Sequence, residues 1–456
     1  MKYSQLKNII KDENRIIWGS CIEKEYLTDG LALEYGEADA LVFVENTEEV
    51  SGIIKFANQK LIPVTPRGAG TCLTGANIPT KRGIILDLSK MNNILELDEE
   101  NLNVTLEPGV LLKDLQTYVE SKNLFYPPDP GEKASTIGGN ISTNAGGMRA
   151  VKYGVTRDYV RALEIVSGDG TIFNVGSKTI KDSSGLDLKN LIIGSEGTLG
   201  IITKITLKLI PKPVKSVSVL IPFDDLENGI SCISKIIKSN SNPTAIEFME
   251  SNIVENSEKF VNLKLPCNNG NAYLLLTFDG EEDEISSNIN KTKEVVMNNG
   301  ALDFRELIEE EALKAWTIRG ALASSICENN EQVPIDIVVP INKIPEFVEF
   351  TNECGRKHDV QVIYFGHAGD GNIHVSAIRN FMEGNEWKRR THNLLEELYK
   401  KSNELNGLPS GEHGIGLTKK EYFKMVTNDD NIEYMRSIKN IFDKNNILNV
   451  GKVYCY

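Results

Sequence analysis

The sequence predicts an α+β protein built from two domains that each combine helices and strands. The chain has 456 residues, which is enough for two or three domains of ordinary size. Its composition, with 40% hydrophobic and 25% charged residues, is that of a globular protein. Short apolar runs typical of strands also alternate with segments of helical periodicity along most of the chain.

The charge balance and the cysteine spacing exclude several classes of function. Lys and Arg total 50 against 64 Asp and Glu, and the net charge of -14 repels polyphosphate, which argues against nucleic-acid binding. The seven cysteines are scattered, with Cys327 and Cys354 the nearest pair, so no local Cys-x-x-Cys zinc or iron–sulfur motif exists. This usage is typical of a reducing compartment. Electron chemistry would therefore need an organic cofactor.

The sequence also argues against membrane insertion and export. Its most apolar stretch, residues 191–211, is interrupted by Glu196, Lys204 and Lys208. The N-terminus lacks the apolar core of a signal peptide. We therefore expect a cytoplasmic protein without a membrane span.

A first mixed domain is predicted over residues 36–213, after an N-terminal helical segment at residues 1–35. It opens with a βαβ unit: an apolar run at 40–44, a helix, and a second run at 61–65. Asn46 is a candidate N-cap for that helix, and Glu49 is placed to close a capping box. Further strand-like runs follow at residues 83–88, 103–106, 162–167, 171–175 and 200–209.

A second domain is predicted over residues 214–405, because Pro213 punctuates a hinge and new strand-like runs begin at once. Strand candidates alternate there with helical stretches, including an apolar run at 360–365. Residues 406–456 are predicted to form a C-terminal helical segment, with one helix over 422–444.

Three glycine-rich segments are candidate ligand-binding loops: residues 67–75, 134–147 and 194–203. Glycine lacks a Cβ atom, so backbone N–H groups in such loops can converge on a phosphate or lie close to a planar ligand. The first segment lacks the ending of a P-loop and the glycine spacing of a dinucleotide-binding Rossmann turn. Taken alone, it fits a tight turn equally well, and the second segment could be a flexible surface loop.

In this order, the three segments resemble the FAD-binding domain of the vanillyl-alcohol oxidase type. Within that type they resemble the branch containing FAD-linked D-lactate dehydrogenases, the flavin subunit of glycolate oxidase and D-2-hydroxyglutarate dehydrogenase. The resemblance runs from about residue 36 to Lys452. It implies a two-subdomain FAD-binding domain and an α/β cap domain with a largely antiparallel sheet, which binds the substrate.

The resemblance also implies which residues bind FAD. In relatives the first segment holds the pyrophosphate, the second lies along the isoalloxazine and ribityl parts, and the third meets the adenine end. A C-terminal Leu-Asn-x-Gly-Lys sequence returns to the flavin. The implied FAD-binding residues are Arg67, Gly68, Ala69, Gly70, Thr71, Gly75, Pro130, Thr136, Gly139, Asn140, Thr143, Ala145, Gly147, Glu196, Gly200, Ile202 and Asn449.

The sequence limits how the flavin can be attached. Some members of the superfamily bind it covalently through a histidine in the FAD domain, but the first histidine here is His358. Cys72 stands where relatives commonly have serine, so it is either a cysteinyl attachment point or a small packed thiol. Free cysteines usually pack as small hydrophobes, and we therefore expect non-covalent FAD.

Three of the five histidines lie in two glycine-rich motifs. His367 and His374 share Gly-His-Ala-Gly-Asp-Gly-Asn-Ile-His, and His413 lies in Gly-Glu-His-Gly. Two imidazoles and a carboxylate are a common ligand set for a divalent metal. Either motif alone fits a structural histidine better, but both together in a histidine-poor chain favour a site. His358 and His392 look like solvated positions without a role.

The resemblance assigns roles to these residues. It implies that His367, His374 and Glu412 bind a divalent metal, Zn²⁺, Fe²⁺ or Mn²⁺, and that His413 is the catalytic base. The metal would polarise the 2-hydroxyl group, His413 would take its proton, and the Cα hydride would pass to flavin N5. Arg319, in Trp-x-x-Arg, would bind the substrate carboxylate, although an ordinary surface arginine is the alternative.

The substrate and the electron acceptor follow from the same comparison. Relatives that take 2-hydroxyglutarate usually have a lysine just before the strand that follows the Trp-x-x-Arg motif. At that place this chain reads Val333-Pro334-Ile335-Asp336. A monocarboxylate such as D-lactate is therefore favoured over a dicarboxylate, and glycolate and D-2-hydroxyglutarate are the alternative substrates. We expect an electron-transferring flavoprotein as partner, with an iron–sulfur or membrane subunit as the alternative. Two other classes, a non-catalytic flavin electron-transfer subunit and a metal hydrolase, explain fewer of these residues.

Overall fold

The computed structural model describes residues 3–327 and 330–454. These residues form two compact units. Unit 1 comprises the chain up to Gly146, the stretch Val155–Lys212 and the chain from Glu412 onward; unit 2 comprises Gly147–Gly154 and Pro213–Gly411. The chain thus passes from unit 1 to unit 2 between Lys212 and Pro213. The predicted boundaries did not include the assignment of residues 147–154 to unit 2. They also did not include the change back to unit 1 after Gly411.

Up to Lys212, the described α-helices are α1 (Leu6–Ile9), α2 (Thr47–Lys60), α3 (Leu112–Glu120), α4 (Ile137–Thr143), α5 (Ala150–Tyr153) and α6 (Leu188–Ile192). The strands are β1 (Ile16–Trp18), β2 (Ala40–Phe43), β3 (Val64–Arg67), β4 (Ile84–Asp87), β5 (Ile94–Asp98), β6 (Asn103–Leu106), β7 (Leu124–Phe125), β8 (Val160–Val166), β9 (Ile172–Gly176), β10 (Ile201–Lys208) and β11 (Ile210–Pro211).

The strands of unit 1 form two main sheets in the described residues. The first has the order β1-β2-β4-β3, and β2 and β3 both run parallel to β4. The predicted βαβ unit is therefore present, with β4 inserted between its two strands. The second sheet, β5-β6-β10-β8-β9, is antiparallel. The apolar face of α2, including Ile53 and Ile54, is fully buried in the core of the first sheet.

The start of α2 confirms one half of its predicted capping and corrects the other. The Oδ1 atom of Asn46 accepts a hydrogen bond from the Glu49 backbone N–H at 2.9 Å. Glu49 does not close a capping box, because its carboxylate accepts from the Glu45 N–H and pairs with the buried guanidinium of Arg15 at 2.6 Å. The buried arginine is the stronger partner, since it would otherwise be an uncompensated charge.

In the described part of residues 213–411, the α-helices are α7 (Leu226–Lys238), α8 (Ser251–Val261), α9 (Glu282–Met297), α10 (Glu309–Gly320), α11 (Leu322–Cys327), α12 (Ile344–His358) and α13 (Gly384–Glu404). The strands are β12 (Lys215–Phe223), β13 (Ala245–Glu250), β14 (Ala272–Gly280), β15 (Arg305–Leu307), β16 (Gln332–Val338), β17 (Gln361–His367) and β18 (Asn372–Ile378).

Unit 2 is built on one sheet with the order β15-β12-β14-β13-β17-β18-β16 among its described residues. Every pairing in it is antiparallel, which confirms the prediction for the cap domain. Strands β17 and β18 form a hairpin whose turn is the predicted Ala-Gly-Asp-Gly loop. Strand β17 runs to His367, two residues beyond the predicted apolar run, so this histidine is the last residue of the strand.

The short segment Gly147–Gly154 is held in unit 2 by Asp279. Lys152 Nζ lies 2.6 Å from the Asp279 Oδ1 atom, and the hydroxyls of Tyr153 and Thr244 donate to the same oxygen at 2.8 and 2.7 Å. A Cβ atom on Gly369 would lie 2.8 Å from the Val151 side chain. The segment therefore packs directly against the turn between the two histidine-bearing strands.

The C-terminal part of unit 1 contains α14 (Lys420–Val426) and α15 (Asp429–Phe442). The prediction of a single helix over 422–444 is therefore wrong, because two helices cover this region. The Asn428 side chain accepts from the Asp430 backbone N–H and begins a new helix there. Among the described residues, no helix is both long and apolar enough to cross a membrane.

Candidate functional site

The three glycine-rich segments come together within unit 1. A Cβ atom on Gly68 would collide with the Thr136 hydroxyl, so the first segment lies against the start of the second. The Gly194 N–H donates to the Ile141 carbonyl at 3.0 Å, and the Glu196 N–H donates to the Ser142 carbonyl at 2.8 Å. The third segment therefore meets the end of α4. Segments far apart in sequence thus form one continuous loop cluster.

This cluster contains a capped helix start and one buried donor without a partner among the described residues. Thr136 caps α4 by accepting from the Gly139 N–H at 3.2 Å. The Asn140 Nδ2 atom is buried and has no hydrogen-bond partner in the described residues. A buried donor without a partner is costly, and a polar ligand would satisfy it. Of the other predicted FAD residues, Gly147 lies in unit 2, while Ala69, Thr71, Pro130, Thr143, Ala145 and Ile202 lie in unit 1.

The Arg67 side chain connects the first glycine-rich segment to residues 25–28 through hydrogen bonds. Its Nη1 atom donates to the Thr28 carbonyl at 2.8 Å, and its Nη2 atom donates to the Glu25 carbonyl at 2.7 Å. The guanidinium also lies over the Tyr26 ring, 5.5 Å from its centroid. Gly70 has a φ of +80°, and a Cβ atom there would collide with the Arg67 guanidinium. The loop therefore depends on both residues for its shape.

Cys72 is half-buried and packed into a turn of the same loop. Its sulfur accepts hydrogen bonds from the Thr74 and Ala76 backbone N–H groups at 3.4 and 3.3 Å. Burial raises the pKa of the Cys72 thiol. These contacts are those of a packed thiol, the alternative that the sequence favours over a covalent flavin link.

Glu196 holds the turn that carries Glu412 and His413. Its two carboxylate oxygens accept from the backbone N–H groups of Ile415 and Gly416 at 2.8 and 2.9 Å. Burial raises the pKa of Glu196 to about 7. A residue expected from the resemblance to meet FAD thus has its carboxylate engaged in positioning the predicted base and metal ligand.

Two of the glycine-rich segments lie directly against this turn. The Thr74 hydroxyl donates to the His413 carbonyl at 3.3 Å, and the Leu417 N–H donates to the Thr74 carbonyl at 2.7 Å. A Cβ atom on Gly146 would lie 3.3 Å from the Cβ atom of Glu412. Unit 1 therefore brings Glu412 and His413 to the predicted flavin loops.

Asn449 joins the C-terminal segment to the same cluster. Its amide nitrogen donates to the carbonyls of Ala76 at 3.0 Å and Glu196 at 2.6 Å, and its Oδ1 atom accepts from Lys452 Nζ at 2.7 Å. Lys452 is fully buried, and burial lowers its pKa to about 7. The Asn449 side chain thus connects Ala76, the residue after the first glycine-rich segment, to the third segment.

In unit 2, four ionisable side chains lie on one face of the sheet, one on each of four neighbouring strands. Glu247 on β13 is the register partner of His367 on β17, and Asp336 on β16 is the register partner of His374 on β18. The two imidazole rings meet edge to face, with centroids 5.0 Å apart. The structure therefore brings the two predicted metal ligands together and places a carboxylate on the outer side of each.

Glu247 is the first of two residues that the sequence analysis missed. It is fully buried, and its Oε1 atom lies 2.7 Å from the His367 Nδ1 atom. Burial raises the pKa of Glu247, but Arg319 and His367 outweigh that effect and hold the pKa below its usual value. An ionised Glu247 accepts a hydrogen bond from the Nδ1–H group of His367, which fixes the tautomer with the lone pair on Nε2. That is the tautomer required of a histidine that binds a metal through Nε2.

Asp336 is the second missed residue, and it is also fully buried. Its Oδ1 atom lies 4.0 Å from the His374 Nδ1 atom and accepts from the Asn372 side-chain amide at 2.7 Å. Its Oδ2 atom accepts from the Ser410 hydroxyl at 2.8 Å and the Gly411 N–H at 3.2 Å. The carboxylate thus fixes the chain immediately before Glu412. The signal for both residues was an acid inside an apolar strand.

Arg319 forms an ion pair with Glu247 and is not an ordinary surface arginine. Its Nε and Nη2 atoms donate to Glu247 Oε2 at 2.8 and 2.6 Å, and its side chain is only 11% exposed. Trp316, one helical turn earlier, fixes α10 by donating to the Ser218 hydroxyl at 2.9 Å. One carboxylate therefore joins the predicted substrate-binding arginine to a predicted metal ligand.

The two histidines given no role differ in their surroundings. His392 is 59% exposed, as expected of a solvated position. The expectation is wrong for His358, whose side chain is only 13% exposed and lies 3.0 Å from the Glu397 carboxylate. The helix that ends at His358 packs on α13, and this contact removes the imidazole from solvent.

Comparison with known proteins decides the family. Residues 38–176 match the FAD binding domain family, and residues 212–453 match the C-terminal domain of FAD linked oxidases. The chain belongs to the FAD-linked oxidases. It is 44% identical to the D-lactate dehydrogenase of Anaerostipes hadrus, over 97% of this chain and 95% of that protein. It is 38% identical to the glycolate oxidase subunit GlcD of Bacillus subtilis, over 91% and 89%.

Solved structures confirm the fold of this FAD-linked oxidase. The 4-ethylphenol oxidase of Gulosibacter chungangensis superposes with a TM-score of 0.78 and 18% identity, covering 99% of this chain and 96% of that one. The fold is the vanillyl-alcohol oxidase type that the sequence predicts, and the protein is an FAD-dependent oxidoreductase.

The pairing of Glu247 with two donors predicts the effect of Glu247→Gln. Arg319 donates twice to one carboxylate oxygen, so the amide oxygen must face Arg319 and the amide nitrogen must face His367. A donor at that position requires the His367 tautomer that protonates Nε2. We expect metal affinity or turnover to fall about 10- to 100-fold.

Metal content and turnover of the purified variant measure this effect. The matched control is Glu250→Gln, because Glu250 lies on the same strand but accepts from the Tyr364 hydroxyl. Equal losses of metal affinity and turnover in the two variants, or no loss in Glu247→Gln, would contradict a role of Glu247 in orienting His367.

Proposed function

We propose that the protein catalyses the FAD- and divalent-metal-dependent oxidation of a D-2-hydroxy acid, with D-lactate oxidised to pyruvate. The observation that carries the proposal is the buried Glu247 carboxylate, which bonds to both His367 and Arg319. A single carboxylate so placed orients a metal-binding imidazole beside a cation that suits a substrate carboxylate. The proposal also rests on the 44% identity to a protein named D-lactate dehydrogenase.

In this proposal His367, His374 and Glu412 bind the metal, which would supply a Lewis acid for the 2-hydroxyl group. FAD would supply the two-electron acceptor for the hydride that leaves the substrate carbon. Arg319 orients the substrate carboxylate. Glu196 holds the turn of His413 in place, and His413 accepts the hydroxyl proton. The two electrons and one proton leave as hydride, and the second proton leaves through His413.

The substrate proposal rests on charge. A second carboxylate, as in 2-hydroxyglutarate, would need a further cation, but the β16 sequence from Val333 to Asp336 offers none. Its only charged side chain, Asp336, is fully buried and is a carboxylate itself. A monocarboxylate therefore fits the chemistry of this strand better than a dicarboxylate.

Anaerobic addition of substrate tests the proposed reaction directly. We expect D-lactate to bleach the flavin absorbance of the purified enzyme, and L-lactate to leave it unchanged. Glycolate and D-2-hydroxyglutarate test the alternative substrates and should reduce the flavin more slowly. A flavin that none of these acids reduces would contradict a 2-hydroxy-acid dehydrogenase and support a non-catalytic electron-transfer subunit.

His413→Ala tests the proposed base. Because the backbone of its turn is held by Glu196 and Thr74, we expect the variant to fold and to retain FAD. Flavin reduction by D-lactate should slow by about 10²- to 10⁴-fold, the range for loss of a general base. Stopped-flow absorbance measures the rate, and His392→Ala, at an exposed position, is the control. A rate near that of the wild type would exclude His413 from proton transfer.

Removal of the metal tests the ligand set. Chelation, or replacement of His367 or His374 by Ala, should abolish turnover while the flavin spectrum persists, since different segments hold the flavin. Turnover and elemental analysis follow the two effects separately. An active enzyme without a stoichiometric divalent ion would contradict the metal assignment.

The proposed route for the electrons is an electron-transferring flavoprotein. The cysteine spacing excludes a local iron–sulfur motif, and the chain lacks a nicotinamide-type glycine turn after a strand. We expect the D-lactate-reduced enzyme to be reoxidised faster by a purified electron-transferring flavoprotein than by NAD or a soluble quinone analogue. Rapid reoxidation by NAD alone would contradict this acceptor.

A further inference from the structure

A second cluster of metal-binding side chains lies in unit 2 between α12 and α13. Cys354 and His358 are four residues apart in the last turns of α12, so they project from one face of the helix. Glu397 reaches them from α13. One donor atom from each of the three residues lies within 4.8 Å of the other two.

Two of these side chains contact the third directly. The His358 Nε2 atom lies 3.0 Å from Glu397 Oε1, and the Cys354 sulfur lies 3.6 Å from Glu397 Oε2. The Glu397 carboxylate is thereby in contact with both the thiol and the imidazole. The end of α12 adds the negative end of a helix dipole, which favours a cation.

Burial decreases across the cluster. Cys354 is buried, His358 is mostly buried, and Glu397 is partly open to solvent. A metal held by these three residues would keep an open coordination position on the solvent side, where a water molecule could bind. Three protein ligands and one water are a common arrangement for zinc.

Lys357 is the competing partner of Glu397. Its Nζ atom lies 2.8 Å from both Glu397 oxygens, but its side chain is 63% exposed. Exposed ion pairs contribute little to stability, so the ammonium can move away at small cost. Replacing Lys357 is therefore an informative test, because its removal should leave the Glu397 carboxylate available to a metal.

We propose that Cys354, His358 and Glu397 form a zinc site that joins α12 to α13. The thiolate and imidazole favour Zn²⁺ over Mg²⁺ or Ca²⁺, which prefer oxygen ligands. This site shares no residue with the ligand set of the proposed reaction. The proposal therefore stands or fails independently of the proposed function.

Zinc-edge X-ray absorption of the full-length holoenzyme tests the sulfur ligand. The measurement uses a His374→Ala background loaded with one equivalent of Zn²⁺, which removes the competing histidine pair. We expect a sulfur scatterer at about 2.3 Å from the zinc, the usual Zn–S distance. Cys354→Ser should eliminate it, and Cys232→Ser, at a buried cysteine on α7, should leave it unchanged. A spectrum without sulfur, or one unchanged by Cys354→Ser, would overturn the proposal.

Equilibrium dialysis against Zn²⁺ gives the second readout in the same background. Zinc affinity should fall at least tenfold in His358→Gln and in Glu397→Gln, and it should rise in Lys357→Gln. Glu397 and Lys357 are partly exposed, so these two variants remain informative if Cys354→Ser fails to fold. Unchanged affinity in both His358→Gln and Glu397→Gln would also overturn the proposal.

Discussion

A carboxylate that is fully buried must be paired, and in unit 2 this requirement determines the geometry of the site. Glu247 accepts from Arg319 through one oxygen and contacts His367 through the other. Leaving either partner out would expose an uncompensated buried charge, which typically costs about 3–5 kcal/mol. The arginine and the imidazole are therefore held in fixed positions before any ligand binds. Preorganisation of this kind is what a polar reaction in a closed site requires.

Unit 1 uses the same physical device at a different place. Glu196 is buried, and its carboxylate is satisfied by the backbone of residues 415 and 416. These hydrogen bonds hold the turn that carries Glu412 and His413 against the glycine-rich loops. In both units a buried acid that does not itself react therefore positions the residues proposed to react. Loops rich in glycine supply little rigidity of their own, so an anchored carboxylate compensates for their freedom.

The sequence predicted those parts of the molecule that local patterns encode. The alternation of strands and helices, the cap of α2 at Asn46 and the order of the glycine-rich segments all follow from neighbouring residues. The pairing of Glu247 with His367 joins positions 120 residues apart, and it depends on which strands are adjacent and in which register. No local pattern shows that β13 and β17, which are far apart in sequence, are adjacent in the sheet. The burial of His358 was not predicted for the same reason, because its partner Glu397 lies on another helix.

We propose that His367 and His374, which the buried carboxylates of Glu247 and Asp336 flank, bind the metal as an imidazole pair. Pulsed electron paramagnetic resonance of the Mn²⁺-loaded enzyme tests it most directly, because coupling to ¹⁴N reports coordinated imidazole. We predict coupling from two imidazole nitrogens, reduced to one when either His367 or His374 is replaced by alanine. A bound Mn²⁺ without nitrogen coupling, or with coupling that both replacements leave unchanged, would contradict it.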